Sequence, residues 1–199
     1  MSEASPRQRR REKKINAILD VATSLIVEKG LENVSLRDIA KNADYSPAAL
    51  YKYFDNKAAI IHAVFNRENQ QLIDLLQTVS NDTPPMQKLI VLSLLYIQYC
   101  LEHSVYVTLI NSVSSGRTSK EQPVDDSSPY LVFFVAVKDW VEGDGIALNQ
   151  NYGLEEITYS LWALIHGMAT LRQSQLKDFD ADFESINRHA IEQFLTSLQ

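Results

Sequence analysis

The chain has 199 residues, 45% of them hydrophobic and 22% charged, with a formal net charge of −6. This is the balance of a globular chain with room for one or two small domains and a sizeable core. No apolar run approaches the roughly 18 residues of a membrane span, and the N-terminus lacks the apolar core of a signal peptide. A single cysteine, Cys100, excludes an intrachain disulfide and fits a reducing compartment.

The charge is unevenly divided. Residues 1–57 carry a net +3 and residues 58–199 a net −9. A basic head on an acidic body directs an anionic partner to one end of the chain. Arg7, Arg9, Arg10, Arg11, Lys13 and Lys14 concentrate the positive charge further. The run reads either as a solubilising tail or as an arm for a nucleic-acid backbone or minor groove, where arginine suits the negative potential.

Residues 1–8 are expected to be disordered. Ile15, Ile18, Leu19, Ala22, Leu25 and Ile26 then recur at helical spacing, predicting a helix from about Arg9 to Lys29 that ends at Gly30. Ser35, with Asp38 three residues on, reads as the cap of a short second helix carrying Leu36, Ile39, Ala40 and Ala43. Asp44 suits the left-handed turn that follows, though less readily than glycine. Ser46 and Pro47 restart the chain as N-cap and first residue of a third helix, with Leu50 and Phe54 inward. Asp55 or Asn56 caps the next.

Two short helices joined by a tight turn form a helix-turn-helix, whose second helix can enter the DNA major groove. An ordinary helical hairpin with a solvated polar face has the same geometry. Small residues Pro47, Ala48 and Ala49 would let the helix start approach bases. Tyr51, Lys52, Tyr53 and Lys57 offer donors to phosphate oxygens.

From Ile15 to Phe65 the chain resembles the N-terminal DNA-binding domain of TetR-family transcriptional regulators. The matching residues are Ala22, Leu25, Gly30, the run Val34-Ser35-Leu36-Arg37-Asp38-Ile39-Ala40, and Ser46-Pro47-Ala48-Ala49-Leu50-Tyr51-Lys52-Tyr53-Phe54 with Lys57. Asp44 departs from the glycine usual in that family. The resemblance implies an all-α protein of about nine helices. Residues 1–57 would form a three-helix DNA-binding head behind its arm, and 58–199 a ligand-binding and dimerisation domain. It also implies a cytoplasmic location.

Beyond the head, one long helix is expected from Asn56 to about Val79, entering the second domain. NDTPP at 81–85 breaks it. Apolar patterns then predict helices over 86–103, 104–113, 130–142, 154–176 and 180–198, with an exposed loop at 114–128. YLVFFVAV could be a buried strand by residue type; its continuation to Trp140 and Val141, stopped at Gly143, favours helix. Ala163 and Gly167 permit close helix approach. The last two helices are either buried in a monomer or shared between two subunits, and a palindromic site favours the dimer. The segment LWALIHGMATL is similar to one TetR subgroup.

No Glu-x-x-His pair, H-E-x-x-H or cysteine pair is present, so no catalytic or metal-ligating set is assigned and no cofactor is implied. The expected function is a DNA-binding regulator, a repressor released from a double-stranded operator by a small apolar or aromatic effector. An activator, a ligand-independent regulator, or a helical enzyme or interaction module without DNA binding remain alternatives. Pro47, Ala48, Lys52 and Arg37 are assigned to base edges. Ser35, Tyr51, Tyr53, Lys57 and the arm residues Arg9, Arg10 and Arg11 are assigned to phosphates. The resemblance implies an effector cavity, assigned to Tyr99, Tyr106, Phe133, Trp162 and His166.

Overall fold

The computed structural model describes residues 5–112, 128–148 and 152–199. Among these residues the regular structure is helical, with no strand. The elements are α1 (Pro6–Lys29), a 3-10 turn (Leu31–Asn33), α2 (Leu36–Asn42), α3 (Pro47–Leu50), α4 (Lys57–Leu76), α5 (Pro85–Glu102), α6 (Ser104–Ser112), α7 (Pro129–Gly143), α8 (Leu154–Gln173) and α9 (Phe183–Thr196). YLVFFVAV is therefore helical. Most of the expected loop at 114–128 lies outside the described residues.

The N-terminus differs from expectation. Helix begins at Pro6, because Ser5 Oγ accepts from Gln8 N at 3.3 Å and Gln8 Oε1 accepts from Ser5 N at 2.8 Å. This reciprocal cap satisfies two otherwise orphan amides and brings the whole basic run into the helix. Proline at the first helical position adds a preset φ without losing a needed donor.

Contacts gather the chain into two compact units, described separately. The first comprises residues 5–68 with 105–112, the second 69–104, 128–148 and 152–199. In the first, Ile18, Ala22, Ile26, Ile39, Leu50 and Ile60 lie in one hydrophobic core, joined by Val105 and Leu109 of α6. Arg67 of α4 is clamped to α1, its Nη1 2.6 Å from Asp20 Oδ1 and its Nη2 donating to Thr23 Oγ1 at 3.0 Å.

In the second unit, α5 packs against α7, α8 and α9, and is buried on most of its circumference. Tyr96, Phe133 and Trp140 are fully buried. Burial of the indole is compatible with its N–H because Trp140 Nε1 donates to Asp144 Oδ2 at 2.9 Å. Burial pushes the Cys100 thiol up to about 12, against a hydrogen bond from Tyr96, so it is a packing residue. Among the described residues no single helix is long and apolar enough to cross a membrane.

Candidate nucleic-acid interface

The helix-turn-helix is built from local signals. Ser35 Oγ accepts from Asp38 N at 3.1 Å and donates to the Asp38 carboxylate, while Ser35 N donates to Asp38 Oδ2 at 3.0 Å. These bonds hold Asp38 below the usual carboxylate range, the side-chain bond from Ser35 contributing most. Asp44 takes the left-handed conformation at φ 58°, and Tyr45 N returns to Ala40 O at 2.8 Å, closing the turn. Ser46 Oγ accepts from Ala49 N at 3.2 Å to cap α3. Past Leu50 the chain continues as a turn, with Phe54 N donating to Leu50 O at 3.1 Å. Asn56 Oδ1 then accepts from Ala59 N at 2.8 Å and opens α4.

This arrangement leaves Pro47, Ala48, Tyr51 and Lys52 exposed, with Leu50 and Phe54 in the core beneath them. Arg37 is exposed on α2. Tyr53 is half-buried, meeting Tyr45 edge-on with ring centroids 5.9 Å apart, so its ring helps position the turn. Lys57 is also half-buried and donates from Nζ to the Leu31 carbonyl at 2.8 Å. It ties the start of α4 to the 3-10 turn.

A concavity of about 650 Å³ is lined by Arg7, Arg10, Arg11 and Lys14 of α1 together with Lys52 and Tyr53 after α3. The four α1 residues follow i, i+3, i+4, i+7 spacing, which places them on one helical face. Arg9 is exposed but is not part of that lining. Arg7 and Lys14 are the site residues that sequence reasoning did not assign. Helical periodicity through the basic run would have selected them once the Ser5–Gln8 cap was recognised. Among the described residues none of these cations has a carboxylate partner.

The residues assigned to an effector are only partly brought together. Phe133, Trp162 and His166 surround Tyr96, with ring centroids of Tyr96 and Trp162 4.7 Å apart and those of Phe133 and Trp162 5.5 Å apart. Tyr96 Oη and His166 Nδ1 share a hydrogen bond of 2.9 Å. Desolvation lowers the His166 pKa, favouring the neutral ring. Tyr99 instead stacks on His103 and donates to Gln71 Oε1 at 3.4 Å. Tyr106 belongs to the first compact unit, where it stacks on Phe65.

Residues 18–64 match the family model described as bacterial regulatory proteins, tetR family. An uncharacterized HTH-type transcriptional regulator of Mycobacterium tuberculosis is 32% identical over 84 residues, which is 42% of this chain and 42% of that protein. The chain therefore spans less than half the length of that relative. A Rhodococcus sp. RHA1 protein, whose function is given as unknown, superposes with a TM-score of 0.74 at 20% identity, covering 93% of this chain and 95% of its own. A TetR family transcriptional regulator of Thermus thermophilus, PfmR, superposes with a TM-score of 0.66 at 19% identity over 99% of both chains. At such identities the superpositions speak to the all-α fold alone. The sequence match is thus confined to residues 18–64, the helix-turn-helix segment, which is similar to that of the tetR family of bacterial regulatory proteins.

Proposed function

We propose that this chain is a DNA-binding transcriptional regulator acting as a homodimer on a palindromic operator. The observation that carries the reading is the groove of α1 cations facing Lys52 and Tyr53. Like charges three and four apart on a helix each cost about 0.2–0.5 kcal/mol, a cost a polyanion in the groove would offset. Pro47 and Ala48 reach base edges with Arg37 and Lys52, while Tyr51 and the α1 cations hold phosphates. Ser35 and Lys57 act mainly as internal ties.

Residues 1–57 supply the DNA contacts in this reading, and 58–199 supply dimerisation and effector response. Support for the dimer comes from α8 and α9. Tyr159 is 68% exposed and Ile186 51% exposed, and a Cβ added at Gly167 would meet nothing within 4 Å of its own chain. Exposed apolar side chains on both helices suit a second copy. A small apolar or aromatic molecule would release the dimer from its operator as a cytoplasmic repressor, by favouring a head spacing unsuited to DNA.

Fluorescence anisotropy of the full chain with duplex DNA from its own upstream region tests the proposal. Salt-dependent binding that is lost in Ala48→Glu is the expected result. A wild-type protein with no affinity for duplex DNA at low salt would overturn the reading.

A further inference from the structure

The second compact unit holds a groove of about 450 Å³ that the aromatic cluster does not line. Its walls are aliphatic: Ile73 and Leu76 of α4, Leu92 of α5, and Leu131, Val132 and Val135 of α7. Helix α7 thus has two working faces. Phe133, Val137 and Trp140 turn into the core, and the opposite side is left to the groove, with Val135 48% exposed.

The polar lining comes from one place in the chain. Gln77 and Asn81 follow α4, and Lys88 stands in the first turns of α5. Lys88 Nζ donates to Asn81 Oδ1 at 2.8 Å, and among the described residues it has no carboxylate partner. Pro84, the N-cap of α5, supplies no capping side chain, so the positive end of that helix dipole reinforces the ammonium. An apolar channel with one fixed, uncompensated cation is complementary to a particular kind of molecule. A neutral apolar ligand would leave the ammonium without an anionic partner, and a cation would be repelled.

We propose that this groove binds an anionic amphiphile, a medium-chain alkyl carboxylate whose carboxylate pairs with Lys88 and whose chain lies against Ile73, Leu92 and Val135. Its regulatory consequence rests on the function proposed above; the binding itself does not.

Isothermal titration of the full chain with decanoate, 1-decanol and decyltrimethylammonium tests the assignment, with the alkyl chain held constant and the head varied. Decanoate should bind one per chain with a Kd below about 1 mM and at least about tenfold more tightly than the alcohol, the scale of one charge-assisted hydrogen bond. The ammonium should give no binding. Lys88→Met keeps the aliphatic stem and should bring decanoate and decanol within about twofold of each other. Val135→Glu, at an exposed position that fold stability does not need, should abolish decanoate binding with the circular dichroism melt unchanged.

Equal affinity for the three heads, unchanged head preference in Lys88→Met, or no heat with decanoate would each overturn the proposal. So would a drop in oligomeric mass in Val135→Glu, which would mean that a second copy covers the groove. Failure to bind DNA would sink the regulator reading and leave these titrations standing, so the two failures are distinguishable.

Discussion

Replacing the four groove cations of α1 by glutamine, as Arg7→Gln, Arg10→Gln, Arg11→Gln and Lys14→Gln together, removes much of the charge that the first unit offers to a phosphate backbone. Each phosphate neutralised by a protein cation contributes about 0.9 to the slope of log K against log salt. Four such contacts set an upper limit of about 3.6 units per protomer for the loss. The loss should be independent of sequence, so random duplex DNA is a sufficient probe and anisotropy from low to moderate salt is the assay. Stability should change little, because all four side chains are exposed and none has an ion-pair partner among the described residues. Removing like charges at i+3 and i+4 spacing should if anything strengthen the helix, by about 0.2–0.5 kcal/mol per pair. An unchanged salt slope with intact folding would refute the groove as a phosphate site. Arg9→Gln, which leaves the groove lining intact, should lower the slope by well under about one unit.

Lys57→Met should act on stability and not on DNA. Its ammonium is committed to the Leu31 carbonyl at 2.8 Å in a half-buried setting, so the melt should show a loss of about 1–2 kcal/mol with the salt slope changed by less than about one unit. Gly167→Arg meets no atom of its own chain at the Cβ; light scattering should show dimer converted to monomer, and an unaffected dimer would remove the α8 face from the interface. His166 should titrate below its ordinary value of 6.5 by proton NMR, since burial disfavours the charged ring. Because the folded state then binds fewer protons, stability is present above pH 6.5 and declines as pH falls from there through the folded pKa. Substitution by Asn should flatten that decline.

The head was legible because its turns are written in single residues. Ser35 with Asp38, Asp44, Ser46 with Pro47, and Asn56 each occupy the cap or turn that their side-chain chemistry suits. The Ser5–Gln8 cap uses the same chemistry but is followed by a basic run that reads as a disordered tail. That displaced the helix start and with it the face shared by Arg7, Arg10, Arg11 and Lys14. Periodicity identifies the side of a helix that is buried but not the core that buries it. Val105 and Leu109 of α6 were legible as apolar, yet only the fold assigns them, and Tyr106, to the first unit. The same ambiguity separates Tyr99 from the cluster around Tyr96, since both lie on a helix buried almost all round. Lys57 illustrates a third gap. A lysine after a recognition helix reads as a phosphate ligand, and only three-dimensional structure reveals the carbonyl 26 residues earlier that accepts its hydrogen bond.

The most direct test of the central claim is selection of bound fragments from a random duplex library by the full chain, followed by sequencing. If two copies each present the segment opening at Pro47 to the major groove, the enriched fragments should contain an inverted repeat. Its half-sites should be centred about 10–10.5 base pairs apart, or a multiple of that. Ala48→Glu should lose the enrichment. Recovery of no shared site, or of an identical site by Ala48→Glu, would contradict the account.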